Sequence, residues 1–561
     1  MISKLCIIGI VEPNALRNEG IPLKNRSKWL LGTFALITTI VLAGCGNNSS
    51  QGSKKSIALM QTSDLTSLDN TNQATMPEFN TLTNISEGLY RLNAKDQPVP
   101  AMATKIEKPT ANGTQYTFHI RKNAKWSNGD PVTAADFEYS WKRSLNPKNN
   151  PVYTYIFSGI KNADAIIAGK KSYQTLGIKA TGEKTLTITL DHPMAYFNKL
   201  VAMPVFMPQD KKFVEKIGTK AYGTSAKNTV SNGAFKITGW TGTNSKYTLV
   251  KNSHYWDKSA IKLDEINYQT VKDANTAHNL FTSGKLDDAT ISGVTAKSLQ
   301  KNKDLKQVPK AWTYYLQLNQ RKGQPMANQK LREAVSLVID KQQLVSKVLA
   351  DGSTPASSFV SPGTATDPTT GRDFSKETST TYKPNVKKAQ QLWAEGLKET
   401  GSNGTVKMSI IGDDQDVTKN VAQFVQSQIQ ENLKGAKVDI SNLPDKGFAD
   451  RKTNGQFTMS QWYWLADFAD PINYLGILTS GNTMNPGHYS DKTYDSLVDK
   501  AKAAPTQASY WKYLRQAENR LQDQTGIIPL YYVKESHLVN PKLSGVEYHV
   551  AGFADYTRSS K

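Results

Sequence analysis

The chain has 561 residues, with 69 Lys and Arg against 48 Asp and Glu, a net charge of +21 and 2 cysteines. That length exceeds a single hydrophobic core and predicts two or three domains with room for a cleft between them. Two cysteines, Cys6 and Cys45, both near the start, leave no thiol for a disulfide framework or a cysteine-metal site in the body.

The first elements set the compartment. Lys24, Arg26 and Lys28 precede the nearly uncharged run from Trp29 to Ala43, which ends in Leu42-Ala43-Gly44-Cys45. A basic n-region, an apolar run shorter than the roughly 20 residues of a permanent span, and small residues at the cut form a secretory signal. Leu-Ala-Gly-Cys resembles the bacterial lipobox, which implies cleavage before Cys45 and lipidation of its sulfur; several acyl chains hold a protein to a membrane far more durably than one. Residues 1–44 are therefore read as a signal region. Residues 1–22, with Glu12 and Glu19, are read as an over-extended start. Residues 45–56 lack an apolar side chain before Ile57 until the last of them is passed, and they read as a lipidated flexible tether. The expected location is the outer face of the cell membrane, in a Gram-positive-type envelope. An exported protein rarely meets nucleic acid, so the basic balance reads as a solvated surface facing anionic material, and no nucleic-acid partner is expected.

The body alternates strand and helix signals. Thr133 and Asp136 resemble a capping box, with Phe137 and Trp141 then stacking at i, i+4. Thr185 to Leu190 alternates strictly and predicts a strand burying Leu186, Ile188 and Leu190; Lys246 to Lys251 is a second strand. Leu331, Ala334, Val335, Val338 and Ile339 share one helix face after Asn328. Residues 353–371, rich in Pro, Ser and Thr, predict a surface excursion. Val417, Val421, Phe424, Gln428 and Leu433 predict the buried side of a longer helix closed by Gly435. No repeat of fixed period is present, and the sum is a mixed α/β body.

Catalytic constellations are sparse. The seven histidines form no HExxH and no i, i+4 pair, and G-x-S-x-G, P-loop and G-x-G-x-x-G patterns are absent. Ser259-x-x-Lys262 and Ser298-x-x-Lys301 match S-x-x-K without a K-T-G partner, which leaves an envelope-bound serine hydrolase or transpeptidase as the alternative function. Aromatic density stands out instead: Phe457, Trp462, Tyr463, Trp464, Phe468 and Tyr474 fall within eighteen residues, with Asp467 and Asp470 among them. Packing of a core strand explains such a run, and so does an aromatic-walled site whose carboxylate takes a cation or a peptide amine.

Tyr116-Thr117-Phe118-His119-Ile120-Arg121-Lys122-Asn123-Ala124-Lys125-Trp126-Ser127-Asn128-Gly129-Asp130-Pro131-Val132-Thr133-Ala134-Ala135-Asp136-Phe137 resembles the signature segment of the oligopeptide and dipeptide solute-binding proteins of ABC importers. Ser67-Leu68-Asp69, Glu87-Gly88-Leu89, Asn232-Gly233-Ala234-Phe235, Trp464-Leu465-Ala466-Asp467 and Ile528-Pro529-Leu530-Tyr531-Tyr532 follow in family order. The resemblance implies an α/β fold of the periplasmic-binding-protein type II, a two-lobed flytrap with an extra inserted domain. Lobe I would comprise 54–87, 211–311 and 530–561, the inserted domain II 88–210 and lobe III 312–529, with a hinge near Ala311-Trp312 and Pro529-Leu530. It further implies capture of short peptides by a monomer that passes them to ABC permease and ATPase subunits, with no enzyme activity, no cofactor and no metal. A pheromone or a non-peptide ligand on the same fold stays open. Carried over by motif, Asp467 pairs with the peptide ammonium, Tyr463 and Leu465 exchange main-chain bonds with it, and Trp464 walls a side-chain pocket. Two positions depart from the pattern. Val152 stands where relatives carry a closing aromatic, with Tyr153 or Tyr155 as substitutes, and Gln461 replaces a basic residue that meets the ligand carboxylate.

Overall fold

The computed structural model describes residues 54–72, 75–380, 383–402 and 404–561. The signal region, Cys6, Cys45 and most of the tether fall outside the described residues.

Among the described residues, sixteen strands follow in chain order: β1 (Ser56–Gln61), β2 (Tyr90–Leu92), β3 (Pro98–Pro100), β4 (Gln115–His119), β5 (Ile178–Gly182), β6 (Thr185–Thr189), β7 (Phe235–Thr238), β8 (Lys246–Lys251), β9 (Glu265–Thr270), β10 (Asp288–Ile291), β11 (Leu305–Leu318), β12 (Thr354–Pro355), β13 (Val406–Asp413), β14 (Ala436–Leu443), β15 (Met459–Leu465) and β16 (Ile527–Val539). Eleven of them share one sheet, in the order β14-β13-β15-β11-β16-β10-β1-β9-β8-β7, with β12 beside β16. The two longest, β11 and β16, run antiparallel through its middle. On one side of that pair lie β10, β1 and β7 to β9; on the other lie β15, β13 and β14. These half-sheets, each faced by helices, form two lobes of an α/β fold. β4, β6 and β5 form a separate three-stranded sheet from the segment that leaves the large sheet after β1 and rejoins it at β7.

Local chemistry explains the elements. β6 buries Leu186 and Ile188 by alternation and pairs with both β4 and β5. Thr133 opens the helix Ala134–Arg143 with a capping box, its N–H donating to Asp136 at 2.8 Å. The helix Gln329–Val338 buries Leu331, Ala334, Val335 and Val338, and Asn328 accepts from Leu331 N–H at its start. The helix Asp416–Asn432 differs from its sequence pattern: Val421, Ala422, Val425 and Ile429 are buried, while Val417 is exposed. Its core is met by the 421-425-429 row, and the stripe through Phe424 and Gln428 sits at the margin.

Residues 353–365 are not a surface excursion, whereas 368–371 are exposed as expected. Ser358, Phe359, Val360, Ser361 and Thr364 are all buried, because the hydroxyls find internal partners. Ser358 Oγ meets Tyr532 Oη at 2.9 Å, Ser361 Oγ meets Tyr474 Oη at 3.0 Å, and Glu518 accepts from Phe359 N–H at 2.7 Å. Polar composition predicts exposure only where such partners are lacking.

The motif residues outside the aromatic run are structural. Asn232 bonds both backbone groups of Glu87, at 3.0 and 2.8 Å. A Cβ on Gly233 would stand 2.6 Å from the Ile85 carbonyl carbon, so only glycine fits there. Asp69 receives both terminal nitrogens of Arg143, at 2.6 and 2.7 Å, with each side chain 4% exposed. This bidentate pair ties the segment after β1 to the inserted domain. Replacing Arg143 by Met strands a buried carboxylate, and urea denaturation is expected to read a loss of about 3–5 kcal/mol. A loss near the ~1 kcal/mol of an exposed pair would show the tie to be unimportant.

Candidate functional site

β15 carries the aromatic run, and its register decides what each residue offers. Ala466 N–H donates to Ala311 O at 2.8 Å, and Thr458 O accepts from Asn319 N–H at 2.9 Å. The two-residue period therefore turns the even-numbered backbone groups of β15 toward β11 and those of Tyr463 and Leu465 toward the opposite edge. On that edge β13 pairs only at Met459 and Ser460. Beyond Ser460, no strand among the described residues covers it. A bare strand edge is a template for an extended chain.

Asp467 stands just past this edge. Asn473, in the short helix Ile472–Leu475, staples the turn: its Oδ1 accepts from Trp464 Nε1 at 2.9 Å and Asp467 N–H at 3.1 Å, and its Nδ2 donates to Asp467 Oδ2 at 3.2 Å. From the inserted domain, Tyr155 donates its hydroxyl to both carboxylate oxygens at 3.1 Å. Loss of water around the Asp467 carboxyl is the largest influence on it and raises it to about 6, against the pull of the Asn473 and Tyr155 hydrogen bonds.

The other residues singled out in the sequence divide. Trp464 is buried and fixed by Asn473. Tyr463 is half-buried in an aromatic cluster, with ring centroids 5.2 Å from Tyr314 and 5.4 Å from Trp312. Leu465 is half-buried opposite Trp312. Tyr153 packs edge-on against Phe79, while Tyr155 is the one that reaches the carboxylate. Gln461 turns away into lobe III, 7% exposed, with Nε2 donating to Thr418 O at 3.0 Å. The S-x-x-K serines are not assembled into a catalytic group: Ser298 Oγ donates to Thr295 O at 2.8 Å, and Ser259 lies in the turn Lys258–Ala260.

A cleft enclosing about 820 Å³ of space, part of it open to solvent, lies beside Asp467. Its wall draws on all three parts of the chain, including Glu87, Arg91, Lys199, Asp467 and Phe553. Of the lobe I residues, Phe553 carried no sequence signal, and Glu87 stood out only as part of the Glu87-Gly88-Leu89 motif. Glu87 is buried and raised by burial, although Tyr255 and Trp256 each donate to it at 2.7 Å. Across the gap, Lys199 Nζ lies 2.7 Å from Ala469 O and 3.2 Å from Asp470, and Tyr196 stacks on Phe468 at 5.5 Å. The inserted domain thus holds the Asp467 loop from outside its own lobe.

The family model described as bacterial extracellular solute-binding proteins, family 5 middle, matches residues 97–486. The chain is 35% identical over 539 residues to the dipeptide-binding protein of Lactococcus lactis subsp. cremoris, covering 93% of this chain and 97% of that one. It is 34% identical over 544 residues to the dipeptide-binding protein DppE of Bacillus subtilis, covering 95% and 98%. The solved structure of OppA from Listeria monocytogenes bound to peptide matches with a TM-score of 0.73 at 35% identity, covering 91% of this chain and 99% of that one.

Tyr155→Phe and Asn473→Ala each remove a hydrogen bond that favours the ionised carboxyl of Asp467. Both are expected to move its titration upward from about 6, read by carboxyl-carbon NMR of aspartate-labelled protein. A midpoint unmoved in both variants would remove those bonds from the account.

Proposed function

The chain belongs to the bacterial extracellular solute-binding proteins of family 5, and from that premise we propose that it captures short peptides between its two lobes and hands them to an ABC importer. One observation carries the reading: the half-buried carboxylate of Asp467 stands at the head of an unpaired strand edge, on the wall of a cavity that both lobes line. An extended peptide added to that edge exchanges main-chain bonds with Tyr463 and Leu465, whatever its side chains. Its ammonium then meets Asp467, whose hydrogen-bond partners among the described residues are neutral. The names of the relatives, dipeptide- and oligopeptide-binding proteins, support the same cargo. Lobe closure follows from a ligand that touches both sides of the cavity. In this reading the protein binds its cargo and leaves it chemically unchanged.

Calorimetry with short peptides tests this. Asp467→Asn is expected to weaken binding by about 2–5 kcal/mol, the range for removing one member of a buried charge pair. Acetylating the peptide amine should weaken it similarly. Because the ammonium needs the ionised carboxylate, affinity is full above pH 6 and falls as the pH drops through about 6. Equal affinity for acetylated and free peptides, flat across that range, would sink the amine-anchor role.

The reading includes a lipid anchor at Cys45 on the outer face of the membrane, supported by the basic and apolar run that ends in Leu42-Ala43-Gly44-Cys45. Mass spectrometry of the mature N-terminus is expected to find acylated Cys45, and Cys45→Ala should shift the protein from membrane to medium. A mature chain starting elsewhere would overturn the anchor.

A further inference from the structure

After β16 the chain doubles back, and Glu547 and Asp555 face each other in an antiparallel bridge, exchanging backbone hydrogen bonds of 3.0 and 2.9 Å. Residues opposed in such a bridge, and residues two apart on one strand, project from the same face. Glu547 and Asp555 meet the first condition, His549 follows two residues on in irregular chain, and one ligand atom of each lies within 4.8 Å of the others.

The histidine is prepared as a ligand. It is 4% exposed, and its Nδ1 sits 2.8 Å from Asp96 Oδ1, which leaves Nε2 without a hydrogen bond among the described residues. A carboxylate behind one ring nitrogen fixes the tautomer that offers the other to a metal. Glu547 Oε2 is buried without a hydrogen bond, and its ion pair with Arg91 is a long 3.9 Å. Asp555 uses one oxygen to accept from Thr557 N–H at 2.7 Å. Of the other cations close by, Arg558 is engaged with Asp257 at 2.6 Å and Lys310 with the carbonyls of His549 and Gly552 at 2.8 and 2.9 Å.

We propose that Glu547, His549 and Asp555 form a binding site for a divalent transition-metal ion, Zn²⁺ foremost, with its remaining coordination position open to the interlobe cavity. One imidazole and two carboxylates suit Zn²⁺, whose non-structural sites keep a fourth position for an exchangeable ligand. Ca²⁺ demands six to eight oxygens and is poorly served. Since His549 and Asp555 line the cavity, a cargo carboxylate or imidazole is the class of group that completes the shell. The sequence hides the set because its members lie on an irregular hairpin rather than at helical spacing. The site stands apart from the peptide reading.

Untagged mature protein, stripped by chelator, is expected to take up one equivalent of Zn²⁺ in equilibrium dialysis and calorimetry. Co²⁺ in its place should give the intense visible absorption of a four-coordinate ion. Glu547→Gln and Asp555→Asn, near-isosteric changes checked for fold by circular dichroism, should each lower affinity about 10–100-fold. Uptake unchanged in both variants, or no uptake at micromolar Zn²⁺, overturns the site. Protein that binds the ion but no peptide keeps this site and loses the function proposed above.

Discussion

The molecule depends on the antiparallel pair of β11 and β16, the two strands that belong to both half-sheets. Their lobe I end is pinned by buried charge. His537 Nδ1 lies 2.8 Å from Asp288 and its Nε2 3.2 Å from Glu535, while Tyr548 and Tyr556 both donate to Asp288. Burial alone would lower His537, yet the two carboxylates hold it at about 10; burial would raise Glu535, yet Lys310 and His537 pull it down to about 2. His537 and Glu535 therefore stay charged across ordinary pH, and their pairing works as a fixed anchor rather than a titrating switch. Immediately beyond it, between Pro309 and Thr313, the register of β11 on β16 shifts. Regular pairing is interrupted at the point where the chain passes from one lobe to the other, beside the expected hinge at Ala311-Trp312.

The same anchor positions both features that face the cavity. Lys310 donates to His549 O at 2.8 Å and Gly552 O at 2.9 Å, which holds the C-terminal hairpin against the crossing strands. On the other flank, β11 gives β15 its one long partner and so leaves the opposite edge of β15 bare. Contacts from the inserted domain to the Asp467 loop need the lobes close together. Here Tyr155 meets Asp467 and Lys199 meets Asp470, so one interface sets both the geometry and the charge at the site.

Much of this was legible in the sequence where local rules and tertiary fate agree. The alternation of Thr185 to Leu190, the Thr133 capping box and the face of the helix Gln329–Val338 needed no knowledge of distant partners. The parity of β15 likewise follows from its two-residue period once a partner strand is known. Residues 353–365 misled because their hydroxyls meet Tyr532 and Tyr474, far away in the chain. Gln461 sits correctly on the strand, but its side chain is claimed by Thr418 on a neighbouring helix. Asn473 carried no signal at all: an asparagine two residues past a proline reads as a turn residue, and its three bonds to Trp464 and Asp467 exist only in the folded loop.

Two carboxylates three residues apart lie in that loop, and their surroundings separate their roles. Asp470 is 2% exposed and already satisfied, with the Lys199 ammonium at 3.2 Å and the Tyr510 hydroxyl also donating to it. A further cation there would have to displace a lysine that also holds Ala469 O. Asp467 has neutral partners alone among the described residues, a phenol and an amide, and it has lost much of its water. A buried charge without a counter-charge is poorly stabilised, so an ammonium arriving from the cavity gains what the protein leaves unsupplied. Sequence proximity makes the two acids look interchangeable; the position of Lys199 makes one of them structural and leaves the other available to a ligand.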